Sequence, residues 1–184
     1  MNTWHVRVAA RVLRAGGVIA YPTEAVFGLG CAPHSREAVA RIQAIKRRDP
    51  GKGLIIVAAR IEQVQRFIDV SAIELDPVLA TWPGPVTWIL PARRAAPPWI
   101  TGSHRTIAVR VSAHPVVREL CEAVGPIVST SANPSGRPPA RSLARVRAYF
   151  RGGLDYVLPG QVGQSVAPSE IRDAVSGVIL REGG

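Results

Sequence analysis

The amino-acid sequence predicts an α/β fold with a mixed sheet, formed as one domain over residues 1–184. The length of 184 residues suits a single domain, and no repeat or linker divides the chain. Apolar residues make up 47% of the composition and charged residues 20%, which leaves enough apolar material for a sizeable core. Short apolar runs alternate with segments of helical periodicity, and this alternation is typical of the α/β class.

The first third of the chain is expected to alternate between helices and strands. Residues 5–15 have helical periodicity and end at two glycines, and residues 18–21 form a short apolar run stopped by a proline. A Gly-rich loop follows, after which Ser35 can cap a second helix. The apolar run at 54–58 predicts a strand, and residues 61–68 are expected to be helical.

Apolar runs in the rest of the chain predict five further strands, at residues 86–90, 107–111, 127–128, 171–175 and 178–181. The last two are expected to form a hairpin through the turn Ser176-Gly177. Two helices are predicted in the same region, from Pro115 to Gly125 and from Ser142 to about Phe150. The prolines of residues 93–98 cannot pair in a strand ladder, so this segment is expected to be an exposed loop.

Composition also limits the classes of function. Basic residues outnumber acidic ones by 23 to 13, and the net charge of +10 indicates an anionic partner. The excess lies mostly in residues 1–60, which carry ten basic and three acidic side chains. No apolar run is long enough to span a bilayer, and arginines occupy the place where a signal peptide is apolar. Two cysteines are too few for a disulfide framework and no His/Cys cluster has metal-ligand spacing, so we expect a cytoplasmic protein with free thiols.

Four segments carry residues suited to ligand binding. Thr23 and Glu24 directly follow a predicted strand, where α/β proteins often bind ligands, although a tight turn is an alternative explanation. Residues 46–52 contain four cations at a helix end, more than the helix dipole favours, which indicates a phosphate-bearing ligand. Residues 129–137 begin with three hydroxyls and an amide, a composition shared by anion cradles and surface turns. Arg110 lies on the opposite strand face from its apolar neighbours and needs an acidic partner or a ligand carboxylate.

Several familiar signatures are missing from the sequence. Gly28-x-Gly30 lacks the third glycine of a dinucleotide fingerprint, and Gly51-Lys52-Gly53 lacks the upstream glycine and the Ser/Thr of a P-loop. The four histidines are scattered, and there is no Ser-His-Asp constellation or pair of carboxylates. A reaction that depends on positioning and charge neutralisation therefore fits better than covalent or acid–base hydrolysis.

Six segments, taken in order, carry a resemblance to a known family. They are Tyr21–Gly30 (YPTEAVFGLG), Lys46–Leu54 with its Lys-x-Arg, Trp82–Thr87 (WPGPVT), Ala108–Val111 (AVRV), Ser129–Gly136 (STSANPSG) and Pro168–Asp173 (PSEIRD). With these motifs the chain resembles the YrdC/Sua5 family, in its short single-domain bacterial form. The resemblance extends over nearly the whole chain, from about residue 8 to residue 181.

The resemblance implies a twisted mixed sheet with helices around a concave basic cavity. It also implies an enzyme that combines L-threonine, bicarbonate or CO2 and ATP into threonylcarbamoyl-AMP and pyrophosphate. The product would serve the formation of N6-threonylcarbamoyladenosine (t6A37) in ANN-decoding tRNAs, with partner proteins making the transfer. ATP is then a substrate, and Mg²⁺ is expected to be carried by the nucleotide.

Individual roles follow from the same resemblance. Lys46 and Arg48 match the Lys-x-Arg that contacts nucleotide phosphates and are the expected catalytic residues. The expected ATP-binding residues are Lys46, Arg48, Lys52, Thr106, Ser131, Asn133 and Arg181. The expected threonine-binding residues are Thr23, Arg110, Ser129 and Ser169, with Arg110 receiving the carboxylate. The family commonly has proline after Lys-x-Arg, whereas here Asp49 stands at this position and could pair with a neighbouring arginine.

Two other functions stay open. The basic surface could bind RNA directly without catalysis, and an Arg-rich helix would suit phosphate contacts through Arg141, Arg145, Arg147 and Arg151. The aromatic content of 5% provides few platforms for base stacking, which weighs against this alternative. The other possibility is a carbamoyl-adenylate former that serves a different acceptor, but the domains of that kind normally lie within much longer chains.

Overall fold

The computed structural model describes residues 3–165 and 169–183, and the predicted α/β class is confirmed. The helices are α1 (Thr3–Arg14), α2 (Arg36–Lys46), α3 (Asp76–Leu79), α4 (Pro98–Thr101), α5 (Pro115–Val124) and α6 (Leu143–Phe150). The strands are β1 (Ile19–Pro22), β2 (Phe27–Gly30), β3 (Ile55–Ala58), β4 (Val86–Pro91), β5 (Thr106–Val111), β6 (Ile127–Ser131), β7 (Tyr156–Val157), β8 (Glu170–Asp173) and β9 (Ile179–Arg181).

Within the described residues the strands form one mixed sheet in the order β7-β1-β2-β6-β3-β5-β4-β8-β9. The pairs β1–β7, β3–β5 and β4–β8 are parallel, and the other neighbouring pairs are antiparallel. Strand β3 lies between β5 and β6, and this order places Arg110 of β5 and Ser129 of β6 on strands separated by only one neighbour.

Local signals in the sequence position the longer helices. The Ser35 hydroxyl accepts a hydrogen bond from the backbone N–H of Ala38 at 3.3 Å and so caps α2. The Ser142 hydroxyl accepts one from Arg145 at 3.3 Å and caps α6 in the same way. Pro115 occupies the first turn of α5. These three predicted helix starts are therefore confirmed. The two serine caps each accept a hydrogen bond from a backbone N–H of the first turn, and the proline has no N–H that would need a partner.

The two faces of the sheet carry separate apolar clusters. Ala20 and Ile56 belong to the cluster that packs against α2 on the first face. Tyr21 and Val57, the next residues along the same strands, belong to the cluster that packs against α1 and α5. Side chains alternate along a strand, so Ile55, which precedes Val57 by two residues in β3, lies on this second face as well. That part of the second face is where the cavity described below opens.

Two local predictions are wrong. Residues 61–68 begin with a short 3-10 turn, Ile61–Gln63, and end against the chain that follows β4, where Ile68 pairs with Ala92 and Arg93 N donates to Phe67 O at 2.9 Å. The segment expected as a Gly-rich loop contains strand β2, which pairs with both β1 and β6. Glycine has a low intrinsic strand propensity, so the neighbouring strands rather than the local sequence determine this element.

Cys31 and Cys121 are free and buried, and burial raises the pKa of each thiol to about 12. No helix within the described residues is long and apolar enough to cross a membrane.

Candidate active site

A cavity of about 490 Å³ opens on the second face of the sheet. Its floor is a row of residues paired across four neighbouring strands, namely Ser129, Ile55, Ala108 and Ile89. Four basic residues and one acidic residue line the cavity, namely Arg48, Lys52, Arg110, Arg181 and Glu24. This excess of positive charge favours an anionic ligand.

The cavity brings together most of the residues that the sequence selected. Nine of the eleven lie in its lining, namely Thr23, Arg48, Lys52, Thr106, Arg110, Ser129, Ser131, Ser169 and Arg181. The other two, Lys46 and Asn133, lie behind the lining and contact Ser131. Pro168, which belongs to one of the motifs, lies outside the described residues.

Arg110 is buried in β5 and forms an ion pair with Glu24. Its Nη2 lies 3.3 Å from Glu24 Oε2, and the side chains are only 9% and 13% exposed. Ser112 Oγ donates a hydrogen bond of 2.5 Å to Glu24 Oε1. Within the described residues the buried Nε of Arg110 has no hydrogen-bond partner. A guanidinium that lines a cavity and is held in place by a buried carboxylate is equipped to bind the carboxylate of a ligand.

Thr23 and Glu24 lie in a tight turn directly after β1. The backbone N–H and the hydroxyl of Thr23 both donate to Val26 O, at 3.1 and 2.7 Å. The later segment of the chain runs alongside this turn, with Gly163 N donating to Thr23 O at 2.9 Å and Ser165 N donating to Glu24 O at 3.2 Å. The turn is confirmed, and the same residues form one wall of the cavity.

Lys46, the last residue of α2, is buried behind the cavity lining. Its Nζ donates to Ser131 O, to Asn133 O at 2.7 Å and to Asn133 Oδ1 at 3.4 Å. Asn133 Oδ1 also accepts from Ser131 Oγ at 2.6 Å, and Asn133 Nδ2 donates to Arg137 O at 2.6 Å. Burial, with a smaller effect from the charge of Arg48, lowers the pKa of Lys46 to about 8. The ammonium therefore holds the end of β6, through which Ser131 reaches the cavity.

Arg48 and Lys52 form another wall. Arg48 Nη2 donates to Gly53 O at 2.8 Å, while its buried Nε has no partner among the described residues. Burial lowers the pKa of Arg48, and the negative charge of Asp49 opposes this shift. The Asp49 carboxylate does not form an ion pair in the part of the chain described, but caps the 3-10 turn Pro50–Lys52 through a 2.9 Å hydrogen bond. The pairing with a neighbouring arginine that the sequence suggested is therefore replaced by a turn cap.

Arg181 and Ser169 lie together at the end of the sheet formed by β8 and β9. Arg181 Nε and Nη2 donate to Ser169 O at 3.0 and 2.6 Å, and Nη2 donates to Ser169 Oγ at 3.2 Å. The Ser169 hydroxyl is also 3.1 Å from Thr87 Oγ1. Burial lowers the pKa of Arg181, and the positive charge of Arg110 adds to the effect. Both arginines line the cavity.

Sequence reasoning missed Ser112 and Tyr21. Ser112 follows Arg110 by two residues, so strand alternation could have placed both on one face. The Tyr21 hydroxyl donates to Ser129 Oγ at 2.8 Å over a sequence separation of 108 residues. No local pattern signals such a contact, because Tyr21 has the sequence context of an ordinary core residue.

The chemistry of the lining bears on the Mg²⁺ that the resemblance implies. Among residues 3–165 and 169–183, no group of three or more His, Cys, Asp or Glu side chains could hold a metal ion. The lining carboxylate of Glu24 is already engaged by Arg110 and Ser112. The side chains described here therefore do not form a metal site, and a Mg²⁺ carried by nucleotide phosphates stays a prediction.

A mixed sheet with a cationic cavity on one face and a buried arginine in its wall defines an α/β protein with a candidate site for a small anionic ligand. A family model with the description "Telomere recombination", for Sua5, YciO and YrdC, matches residues 11–183. The threonylcarbamoyl-AMP synthase of Pseudomonas savastanoi pv. phaseolicola is 54% identical over 184 residues, covering 100% of both chains. The chain belongs to the Sua5/YciO/YrdC family, as its motifs predicted.

Solved structures agree with this assignment. The crystal structure of P. abyssi Sua5 complexed with L-threonine matches 100% of this chain with a TM-score of 0.93 and 35% identity. This chain spans 55% of the length of that protein. E. coli YciO matches with a TM-score of 0.83 and 27% identity, over 97% of this chain and 88% of its own.

Proposed function

We propose that this chain is a threonylcarbamoyl-AMP synthase, which joins L-threonine, bicarbonate or CO2 and ATP into threonylcarbamoyl-AMP and pyrophosphate. The full-length relative of that name and the threonine complex of P. abyssi Sua5 support this proposal. The observation that carries it is the convergence of Arg110, Arg48 and Lys52 on one cavity. Such a cavity offers one guanidinium for a carboxylate and separate cations for a triphosphate.

The amino-acid substrate is assigned to the part of the cavity around Arg110. Glu24 holds the Arg110 guanidinium in place, and the Arg110 side chain lines the cavity where the threonine carboxylate would bind. Hydroxyls suited to the polar groups of threonine belong to Thr23, Ser129 and Ser169. A buried arginine that is already oriented loses little conformational freedom when it binds a carboxylate.

ATP is assigned to the part lined by Arg48 and Lys52, together with Thr106, Ser131 and Arg181. Lys46 and Asn133 support this part from behind, since their hydrogen bonds fix the backbone and hydroxyl of Ser131. The positive charge of Lys46 adds to the field of the cavity from its buried position.

The reaction then needs positioning and charge neutralisation. The threonine amine, in its neutral form, attacks CO2 and loses a proton to give a carbamate. A carbamate oxygen attacks the α-phosphorus of ATP, the bond from that phosphorus to the bridging oxygen breaks, and pyrophosphate leaves with the electron pair. Arg48 and Lys52 would stabilise the negative charge that develops on the leaving group.

The direct test is incubation with ATP, labelled bicarbonate and a panel of amino acids, with the products identified by mass. We expect a labelled carbamoyl-adenylate and stoichiometric pyrophosphate with threonine in preference to the other amino acids. Pyrophosphate release that is independent of the amino acid, or product formed equally with every amino acid, would contradict the proposal.

Direct contact with RNA is a second candidate function, supported by a separate groove. This groove, of about 980 Å³, is lined by the basic residues Arg47, Arg137, Arg141 and Arg145 and by no acidic residue among those described. The Arg145 guanidinium lies 5.7 Å from the ring of Tyr149. Of the four arginines that the sequence suggested, Arg141 and Arg145 line the groove, whereas the lining does not include Arg147 or Arg151.

A salt titration tests this candidate. We expect a tRNA transcript to bind with an affinity that falls steeply with salt, and Arg145→Gln to reduce the log–log slope by about one. The matched control is Arg7→Gln on α1, which lies away from the groove. Salt-independent binding, or an equal effect of both variants, would contradict the role of the groove.

The cellular setting follows from the proposed reaction. A synthase of this kind would work in the cytoplasm, where its product serves t6A37 formation in tRNA through partner proteins that make the transfer. The continuous sheet from β7 to β9 supports the expectation that the chain forms one domain.

A further inference from the structure

The ring of Tyr21 lies in a slot formed by two glycines of β2. Tyr21 is completely buried. A Cβ added at Gly30 would lie 2.7 Å from Tyr21 Cε1, and one added at Gly28 would lie 3.3 Å from Tyr21 Cζ. The Gly28-x-Gly30 pattern, which is not a nucleotide fingerprint, therefore provides the space that brings the tyrosine ring against the sheet.

The slot directs the Tyr21 hydroxyl to the cavity floor. This hydroxyl donates to Ser129 Oγ at 2.8 Å, and both groups are buried. Burial raises the pKa of Tyr21 well above its usual range, so the phenol keeps its proton and acts as the donor. A serine hydroxyl has one hydrogen and two acceptor positions. Because Tyr21 occupies an acceptor position, the hydrogen of Ser129 remains available to a ligand in the cavity.

The surroundings of Ser129 indicate which ligand group receives that hydrogen. Ser129 pairs with Ile55, and Arg110 pairs with Val57, two residues further along the same strand. All of these residues lie on the second face of the sheet. A Cβ added at Gly28 would lie 3.4 Å from Ser129 Oγ and 3.3 Å from Thr23 Cγ2, so Ser129 lies close to the turn that carries Glu24.

We infer that Tyr21 is a positioning residue, which holds the Ser129 hydroxyl as a hydrogen-bond donor to the carboxylate of the threonine substrate. This inference rests on the proposed threonine site, and it adds a residue that does not itself touch the substrate. Tyr21 acts only through Ser129, so its effect depends on the presence of the serine hydroxyl.

A double-mutant cycle on L-threonine affinity tests the inference. Tyr21→Phe keeps the ring in its slot and removes only the hydroxyl. We expect threonine to bind about 3- to 10-fold more weakly, as for the loss of one orienting hydrogen bond. In the Ser129→Ala background the same change should have almost no further effect. The KM for ATP should stay within about twofold in Tyr21→Phe, because the orienting bond affects only the threonine site.

The matched control is Tyr156→Phe, which removes a hydroxyl bonded to His5 at 2.7 Å, away from the cavity lining. Thermal unfolding of each variant checks that the fold is retained. Equal threonine affinity in Tyr21→Phe and wild type, or effects of Tyr21→Phe and Ser129→Ala that add fully, would overturn the inference. Because binding is measured without turnover, a wild type that binds threonine but releases no pyrophosphate would overturn the proposed function alone. A wild type that does not bind threonine would overturn both.

Discussion

Arg110 Nη2 lies 3.3 Å from Glu24 Oε2, and this ion pair joins the turn after β1 to the C-terminal end of strand β5. Neither side chain is exposed by more than 13%. The Ser112 hydroxyl bonds to the other carboxylate oxygen of Glu24. The pair therefore fixes a cation in the cavity wall before any substrate binds, and each charge depends on the other for compensation.

The first prediction concerns the stability of this pair. Glu24→Gln leaves the Arg110 charge buried without a counterion, and we expect the free energy of unfolding to fall by about 3–5 kcal/mol. Arg60→Gln breaks an exposed ion pair with Glu122 and should cost no more than about 1 kcal/mol. Urea denaturation of both variants measures the difference. Similar losses in the free energy of unfolding would mean that the buried ion pair contributes no more to stability than the exposed one.

Substitution of Arg110 by lysine separates its charge from its geometry. Arg110→Lys keeps a positive charge beside Glu24 but cannot offer the planar fork that binds a carboxylate. We expect the KM for threonine to rise about tenfold or more, as for the loss of a charge-assisted hydrogen bond, with a much smaller change in the KM for ATP. Steady-state pyrophosphate release with each substrate varied in turn measures both values. A larger effect on ATP than on threonine would contradict the carboxylate role, and Arg60→Lys serves as the control.

The elements that local chemistry specifies were predictable from the sequence. The caps at Ser35 and Ser142 involve residues three positions apart, so sequence patterns report them directly. Strand β2 was missed because its glycines argue against a strand, whereas its pairing with β1 and β6 and the ring of Tyr21 stabilise it. The predicted helix at 61–68 failed for a related reason, since Ile68 at the end of the segment pairs with the distant residue Ala92.

The residues of the candidate site also divide into those that a local pattern predicts and those whose position depends on distant contacts. Arg110 could be selected because strand alternation sets it apart from its neighbours, and the structure supplies the partner it required in Glu24. The position of Lys46 could not be predicted, because the oxygen atoms it contacts belong to Ser131 and Asn133, more than 80 residues along the chain. Such contacts depend on how α2 packs against the end of β6.

Lys46 and Arg48 should therefore respond differently to truncation. Lys46→Ala removes the donor to two backbone oxygens, and we expect the free energy of unfolding to fall by about 1–3 kcal/mol together with a loss of activity. Arg48→Ala removes a half-buried side chain of the cavity wall, and we expect pyrophosphate release to fall about 100-fold with a smaller change in stability. Denaturation and turnover measured on both variants test this. Equal stability losses, or near-normal turnover in Arg48→Ala, would contradict the assignment.

The lowered pKa of Lys46 predicts that stability and ATP affinity change in opposite directions with pH. Its pKa is about 8 in the folded protein, below the value of about 10.4 expected for an unfolded lysine. Between these values the unfolded chain binds more protons, so the contribution of Lys46 to the free energy of unfolding increases with pH. Over the same range the side chain loses its charge, and we expect ATP to bind more weakly as pH rises through about 8.

Calorimetric titration with ATP from pH 7 to pH 9.5 measures the pH dependence of ATP affinity without requiring turnover. Lys46→Arg keeps its charge throughout this range, so its ATP affinity should lose the transition near pH 8. An identical transition in wild type and Lys46→Arg would assign it to another group. The positive charge of Arg48 adds to the effect of burial in lowering the pKa of Lys46, so Arg48→Gln should raise that pKa and move the transition to higher pH.

The last prediction concerns the space that β2 provides for Tyr21. A methyl group added at Gly30 would lie 2.7 Å from both Tyr21 Cε1 and Val128 O, so either the ring or the strand must move. We expect Gly30→Ala to lower the free energy of unfolding by about 1–3 kcal/mol. Displacement of the ring should also weaken threonine binding, because it separates the Tyr21 hydroxyl from Ser129. Gly153→Ala is the matched control, since its nearest contact, Phe150 O at 3.1 Å, requires a smaller shift and lies away from the cavity lining. Denaturation and threonine titration of the two alanine variants measure both effects, and unchanged threonine affinity in Gly30→Ala would show that the slot does not set the position of the ring.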